Sequence, residues 1–132
     1  MNKKNIEPIP EALNELAEKV IGAAIEVHRE LGPGFQEITY RRAMEIELRL
    51  RGIQFEIEVP VALEYINEGI GQGRMDFLIE KMLVTELKAA EANPKKYNKQ
   101  ASLYLKATNH RLALIINFEA ERLVDGIARV AN

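Results

Sequence analysis

From Glu11 onward the apolar residues recur at Leu13, Leu16, Ala17, Val20, Ala24, Val27 and Leu31. Steps of three and four lay them along one face of a long helix. It stops at Gly32-Pro33-Gly34, since glycine suits a helix C-terminus and proline cannot continue the ladder. A second helix is expected from near Gln36 to about Arg51, closed by Gly52. The period then changes. Phe55, Ile57, Val59, Val61, Leu63 and Tyr65 alternate with polar or small residues, the pattern of a half-buried strand, with an interruption expected near Pro60. Asn67 to Gly73 reads as a glycine-rich turn. Met75–Ile79 and Leu83–Lys88, around Glu80-Lys81, predict a hairpin. Pro94 opens a third helix, about Lys95 to Lys106, and the apolar run Leu112–Phe118 predicts a buried central strand. Ile127 to Val130 adds a last strand or a turn of helix. The order α-α-β-β-β-α-β describes an α/β fold, with a central mixed sheet flanked by helices.

Composition narrows the class without naming a chemistry. A length of 132 residues with 47% apolar content suits one domain at 11–132, behind a flexible lead-in at 1–10. The absence of cysteine excludes disulfides, thiolate metal sites and cysteine nucleophiles. No apolar run approaches the roughly 18 residues of a membrane span. Lys3 and Lys4 have no apolar signal core behind them, so a cytoplasmic location is expected. Eighteen bases against 20 acids give −2, which argues against tight binding to nucleic acid by bulk charge. The distribution is uneven, however. Residues 88–111 hold six bases and one acid, a local +5.

The most informative stretch is Asp76 followed by Glu86-Leu87-Lys88. Glu86 and Lys88 are two apart on one strand and share a face, and Asp76 stands at about the same height on its neighbour. Carboxylates gathered at a strand end repel unless a cation separates them, and a hard divalent ion such as Mg²⁺ suits that ligand set. A lysine beside them can orient an attacking water or steady charge developing on phosphorus. The plainer reading is a surface hairpin with an exposed acid on each strand. Two further features weigh against it. Lys96, Gln100 and Tyr104 are spaced by four and form a polar stripe on the third helix. Glu37 and Tyr40 put a carboxylate and a phenol on adjacent turns of the second. The loop Gly69-Ile70-Gly71-Gln72-Gly73 precedes a strand, not a helix, so it does not read as a phosphate loop. His28, alone on the inner side of the first helix, reads as structural.

With Gly34-x-x-Glu37-x-x-Tyr40 after "VHRELGPG", the chain resembles the GxxExxY proteins of the PD-(D/E)XK nuclease superfamily. The resemblance runs from about Leu16 to Val130 and includes "RGIQFEIEVPV", "GRMDFLIE", "VTELKA", "YLKAT" and "LALIINF". Gly73-x-x-Asp76, Glu86-x-Lys88 and Gln100-x-x-x-Tyr104 look like the superfamily's three ordered motifs. The resemblance implies a three-layer, restriction-endonuclease-like core and a metal-dependent nuclease, with DNA the expected substrate and Mg²⁺ or Mn²⁺ the cofactor. It implies Asp76, Glu86 and the Leu87 carbonyl as metal ligands and Lys88 as the catalytic lysine. Glu37 would be an added metal-site or water-positioning carboxylate. Gln100, Tyr104, Lys96 and Tyr40 would contact nucleic acid or support the site. A homodimer or protein partner would supply specificity. The alternative is a non-catalytic module that keeps the nuclease fold to bind nucleic acid or protein.

One departure makes a geometric test. Members of the family commonly have glycine in the hairpin turn, where this chain has Glu80-Lys81-Met82. A two-residue loop at Glu80-Lys81 would pair Asp76 with Thr85 and send Glu86 to the opposite face. The site therefore requires a three-residue turn or a bulge, with Lys81 at positive φ.

Overall fold

The computed structural model describes residues 7–132. Two helices, α1 (Glu11–Leu31) and α2 (Glu37–Leu50), precede three strands, β1 (Phe55–Tyr65), β2 (Glu68–Ile79) and β3 (Leu83–Lys88). Helix α3 (Pro94–Thr108) then leads to β4 (Leu112–Asn117), a 3₁₀ turn at Leu123–Gly126 and β5 (Ile127–Ala131). The strands form one mixed sheet in chain order, antiparallel except where β3 and β4 run parallel. Helix α3 is the crossover that a parallel pair needs. Because β3 and β4 are central, both their faces are covered, and LALIIN in β4 is buried at every position.

Two apolar clusters make the three layers. On one side, Leu16, Val20 and Val27 of α1 and Tyr40, Met44 and Leu48 of α2 pack on Phe77, Ile79, Leu87 and Leu114. On the other, Ala101, Tyr104 and Leu105 of α3 cover Met75, Val84, Ala113 and Ile115. Burying a large side chain of this kind is worth about 1.5–3 kcal/mol, so the sheet is clamped from both faces. This is the three-layer arrangement expected from the sequence, with the last segment a strand.

Three local expectations change. The stretch Asn67–Gly73 is not an extended turn: β2 already begins at Glu68, and the chain reverses at Ile66–Asn67, with φ of 50° and 62°. Glycines therefore occupy strand positions, paired with Val61, Leu63 and Glu64 of β1. The strand β1 is continuous through Pro60, an edge position where the missing N–H costs no ladder bond. The lead-in is tied down where it is described: Ile9 packs on the first cluster, and the Glu7 carbonyl accepts from Arg111 at 2.7 Å. The rest of it, residues 1–6, lies outside the described residues.

Candidate active site

The loop between β2 and β3 has three residues, Glu80, Lys81 and Met82. The pairs Ile79↔Leu83, Leu78↔Val84 and Phe77↔Thr85 bring Asp76 level with Glu86. Lys81 has φ 60° and Glu80 φ 51°, so two non-glycine residues take the left-handed conformation that closes this turn. The register is locked at the site itself. The Asp76 N–H donates to Glu86 Oε2 at 2.7 Å, and the Leu87 N–H donates to Asp76 Oδ2 at 2.8 Å. Each carboxylate thus uses one oxygen to clamp the neighbouring strand, and among the described residues its second oxygen has no hydrogen-bond partner.

A break in alternation accompanies this arrangement. Met75 packs on the α3 side, yet Phe77, two residues on, packs on the α1–α2 side. Opposite the break, between the pairs Ile57↔Phe77 and Val59↔Met75, stands Glu58 at φ 51°. Regular pleating would keep odd residues of β1 on one face. Instead Phe55 joins the first cluster, while Val59 and Leu63 pack on the second. Asp76 therefore sits where the sheet reverses its faces.

Electrostatics concentrate at the same point. Glu86 is only 4% exposed, and burial, reinforced by the Asp76 charge, pushes its carboxyl up to about 8. Burial also raises Asp76, against the opposing pull of the Leu87 N–H and of Lys88, Arg41 and Arg74. Glu37, exposed at the start of α2, is raised by the protein flanking it and then by Asp76. Two buried carboxyls one strand apart resist holding two negative charges, which is the condition a cation relieves. Their unshared oxygens are hard donors, so the residues fit Mg²⁺ or Mn²⁺ better than a soft ion. Among the described residues no three His, Cys, Asp or Glu side chains converge as a metal cage. Glu37 therefore stands beyond direct convergence with the pair, although it lines the same cleft of about 230 Å³ as Asp76 and Leu87.

Lys88 points across the sheet toward α3. Its Nζ donates to Gln100 Oε1 at 3.2 Å and lies 4.8 Å from the centre of the Tyr97 ring. Gln100 thus orients the lysine. The predicted polar stripe divides: Tyr104 is buried, its ring against Gly73 and its hydroxyl 3.4 Å from the Arg74 N–H, which donates to it. A Cβ on Gly73 would lie 2.6 Å from Tyr104 Cε1, so this glycine is a matter of space. Lys96 is exposed on the first turn of α3, where its backbone N–H donates to the Asn93 cap. Tyr40 corrects the expectation of a phenol open to nucleic acid. It is wholly buried, stacked 4.4 Å from Phe118, and its hydroxyl donates to the Gly32 carbonyl at 2.6 Å. The same hydroxyl accepts from the Phe35 N–H, so Tyr40 fixes the turn from which α2 launches Glu37. His28 bonds the Ala120 carbonyl at 2.8 Å, as a structural histidine should.

Reading by motif passed over four side chains here. Tyr97 under Lys88 lies three residues before Gln100, and Arg41 lies one helical turn after Glu37. Arg74 falls inside Gly73-x-x-Asp76. Glu58 carries no local signal; only the fold brings it to Arg41 at 2.7 Å.

The model of the PD-(D/E)XK nuclease superfamily matches this chain over residues 14–130. No curated protein and no solved structure gives a significant match.

Proposed function

The chain belongs to the PD-(D/E)XK nuclease superfamily, and from that premise we propose that it is a metal-dependent nuclease of the GxxExxY type. Its reaction is hydrolysis of a phosphodiester bond in nucleic acid, with DNA the expected substrate. The observation that carries this reading is the β2–β3 register. It sets Asp76 and Glu86 side by side, each with an unshared oxygen, next to Lys88.

Asp76 and Glu86 would hold Mg²⁺ or Mn²⁺, with the Leu87 carbonyl beside them and Glu37 acting from the cleft mouth on the ion's water shell. The ion supplies positive charge that polarises the phosphodiester and eases loss of a proton from the attacking water. Lys88, held by Gln100 and shielded by Tyr97, orients that water and steadies charge on the phosphoryl oxygens. Glu37, at the first position of α2, lines the same cleft as Asp76 and Leu87 and is placed to help position that water. The exposed Lys95, Lys96 and Lys99 of α3 offer a weak, salt-sensitive track for the strand. Residues 11–132 act as one domain in the cytoplasm, with a second copy or another protein supplying specificity.

Purified protein is expected to cut DNA or RNA with Mg²⁺ or Mn²⁺ and not with chelator. Glu86→Ala or Lys88→Ala is expected to abolish cutting without loss of fold. Cutting that survives both changes would overturn the reading. Salt-sensitive binding with no cutting under either ion would replace it with a binding module on the nuclease fold.

A further inference from the structure

Beside the carboxylate pair lies a second charged group that the proposed hydrolysis does not use. Arg41 comes from the second turn of α2, Arg74 from β2 two residues before Asp76, and Glu58 from β1. Arg41 Nη1 lies 2.7 Å from Glu58 Oε1 and donates to it. Arg74 Nη1 lies 3.8 Å from the same oxygen. Both arginines line the cleft that holds Glu37, Asp76 and Leu87.

Three observations separate this group from an ordinary surface ion pair. First, one carboxylate oxygen serves two guanidiniums from different elements, so both arginines converge on one point of the cleft wall. Second, the arginines are incompletely satisfied: the buried Arg41 Nε makes no hydrogen bond, its nearest carboxylate being Glu45 at 3.7 Å, and the Arg74 side chain is 66% exposed. Third, Glu58 holds its place at φ 51° inside a strand, a conformation that costs a non-glycine residue of order 1 kcal/mol. That bend in the strand is the one that reverses the faces of the sheet beside Asp76, so it ties the place of Glu58 and its two arginines to the carboxylate site. Two converging guanidinium forks within reach of a metal-binding carboxylate match the geometry of phosphate oxygens, which accept paired N–H donors.

Resting on the nuclease reading, we propose that Arg41 and Arg74 form a phosphate clamp for the nucleic-acid strand beside the reacting group, with Glu58 as its placeholder. A phosphate entering the cleft takes over the guanidinium donors, and Glu58 yields to water. The clamped phosphate is either the internal neighbour of the scissile one or a terminal 5′-phosphate. The two arginines come from α2 and β2, which also carry Glu37 and Asp76. Seating the phosphate therefore sets the strand's position relative to the carboxylates.

The test is equilibrium binding of fluorescent oligonucleotides by anisotropy with Mg²⁺, in a Lys88→Ala background that halts turnover. Arg41→Gln with Arg74→Gln is expected to weaken binding about 10- to 100-fold and to flatten the salt dependence by about two ions. Glu58→Gln is expected to act in the opposite direction and tighten binding several-fold, an effect that partial unfolding cannot imitate. Linear 5′-phosphorylated, linear 5′-hydroxyl and circular strands divide the two sources. Equal losses on all three assign an internal phosphate, and a loss confined to the phosphorylated ends assigns a terminal one. If Glu58→Gln and the double variant bind as the parent does, while the unmutated protein cuts nucleic acid, the clamp is overturned and the nuclease reading stands. If the unmutated protein neither binds nor cuts, the nuclease reading fails, and the clamp with it.

Discussion

Strand β2 takes part in two hairpins that solve the same problem differently. At its start the chain reverses through Ile66–Asn67, with Tyr65, Ile66 and Ile70 all more than half exposed. At its end it reverses through Glu80-Lys81-Met82, and the strands beyond are buried at nearly every position. The first hairpin tolerates irregularity: its register slips between Leu63 and Glu64, leaving Ile70 as the extra residue. The second has no such freedom. A slip of one residue moves every side chain of β3 to the other face, and Glu86 with it. Register is specified where a face is buried and where chemistry depends on it, and one strand contains both regimes.

Removing one residue from each hairpin is the strongest way to break this contrast. Deleting Val84 keeps the three-residue loop and the pair Ile79↔Leu83 but puts Asp76 opposite Leu87 and turns Glu86 to the other face. Metal-dependent cutting is then expected to fall by a factor of about 1,000 or more, equivalent to roughly 4 kcal/mol of transition-state stabilisation. Ion binding by calorimetry should vanish in parallel, with circular dichroism reporting whether the fold persists. Deleting Ile70 removes only the bulge at the exposed end, and activity within a few-fold of the parent is expected. Equal losses from both deletions would show that register near the site carries no special weight.

A smaller effect appears as pH dependence. Glu86 titrates near 4.5 in an unfolded chain and is pushed up to about 8 in the fold, with Asp76 raised alongside it. In that interval the folded protein retains a proton that the unfolded chain has released, so raising pH favours unfolding. Stability of the ion-free protein is therefore expected to fall from pH 4.5 to 8 by on the order of a few kcal/mol. Thermal melts across that range, repeated with Glu86→Gln, check this: the substitution should flatten the profile. A profile that is already flat in the unmutated, ion-free protein would sink the claim that the pair is held under electrostatic strain.

Glycines sharpen the same contrast at lower energy. Gly73→Ala would drive a Cβ to 2.6 Å from the Tyr104 ring, whereas Gly69 has nothing within 4 Å of its Cβ direction. Overpacking of the first kind costs about 1–3 kcal/mol, and an open substitution of the second kind stays within about 0.5 kcal/mol. Denaturant titration of the two variants measures the difference. Tyr104→Leu should recover part of the Gly73→Ala loss if the phenyl ring is the obstacle.

What was legible in the sequence follows this division. Helical periodicity marked α1 to its first and last residues, because one apolar stripe faces one core. The run at β4 was equally clear, since burial on both faces leaves no polar position. The motif positions Asp76, Glu86 and Lys88 stood out because spacing within a strand fixes side-chain direction. Their alignment across the hairpin depended on loop length, and here length alone left two- and three-residue closures open. Tyr40 and Tyr104 looked alike as polar aromatics at helical spacing, yet both are buried, for a hydroxyl can be satisfied by backbone as well as by a ligand. The face reversal at Glu58 was invisible: period two persists in β1 on either side of it, and only the positive φ at that residue changes which core the flanking residues enter. Glycine composition misled at Gly69–Gly73, where the residues form a strand rather than a loop and Gly73 alone of the three glycines is pressed beneath Tyr104.

The smallest effect lies in the turns themselves. Asn67 at φ 62° and Lys81 at φ 60° each close their turn in the left-handed region. Asparagine visits that region readily, while lysine does so against the steric preference of its Cβ. Glycine removes that penalty but also loosens the unfolded chain, so the net gain is what remains after the two oppose each other. Lys81→Gly is expected to stabilise by about 0.5 kcal/mol, and Asn67→Gly to leave stability unchanged or slightly reduced. Glu80 is the wrong place for the same change, because its Oε2 accepts from the Gln54 N–H at 2.8 Å and glycine would forfeit that bond. Paired denaturant melts of the two variants resolve a difference of this size. If Asn67→Gly gains as much as Lys81→Gly, the second turn stores no more strain than the first. Its three-residue closure would then be held by the buried strands alone.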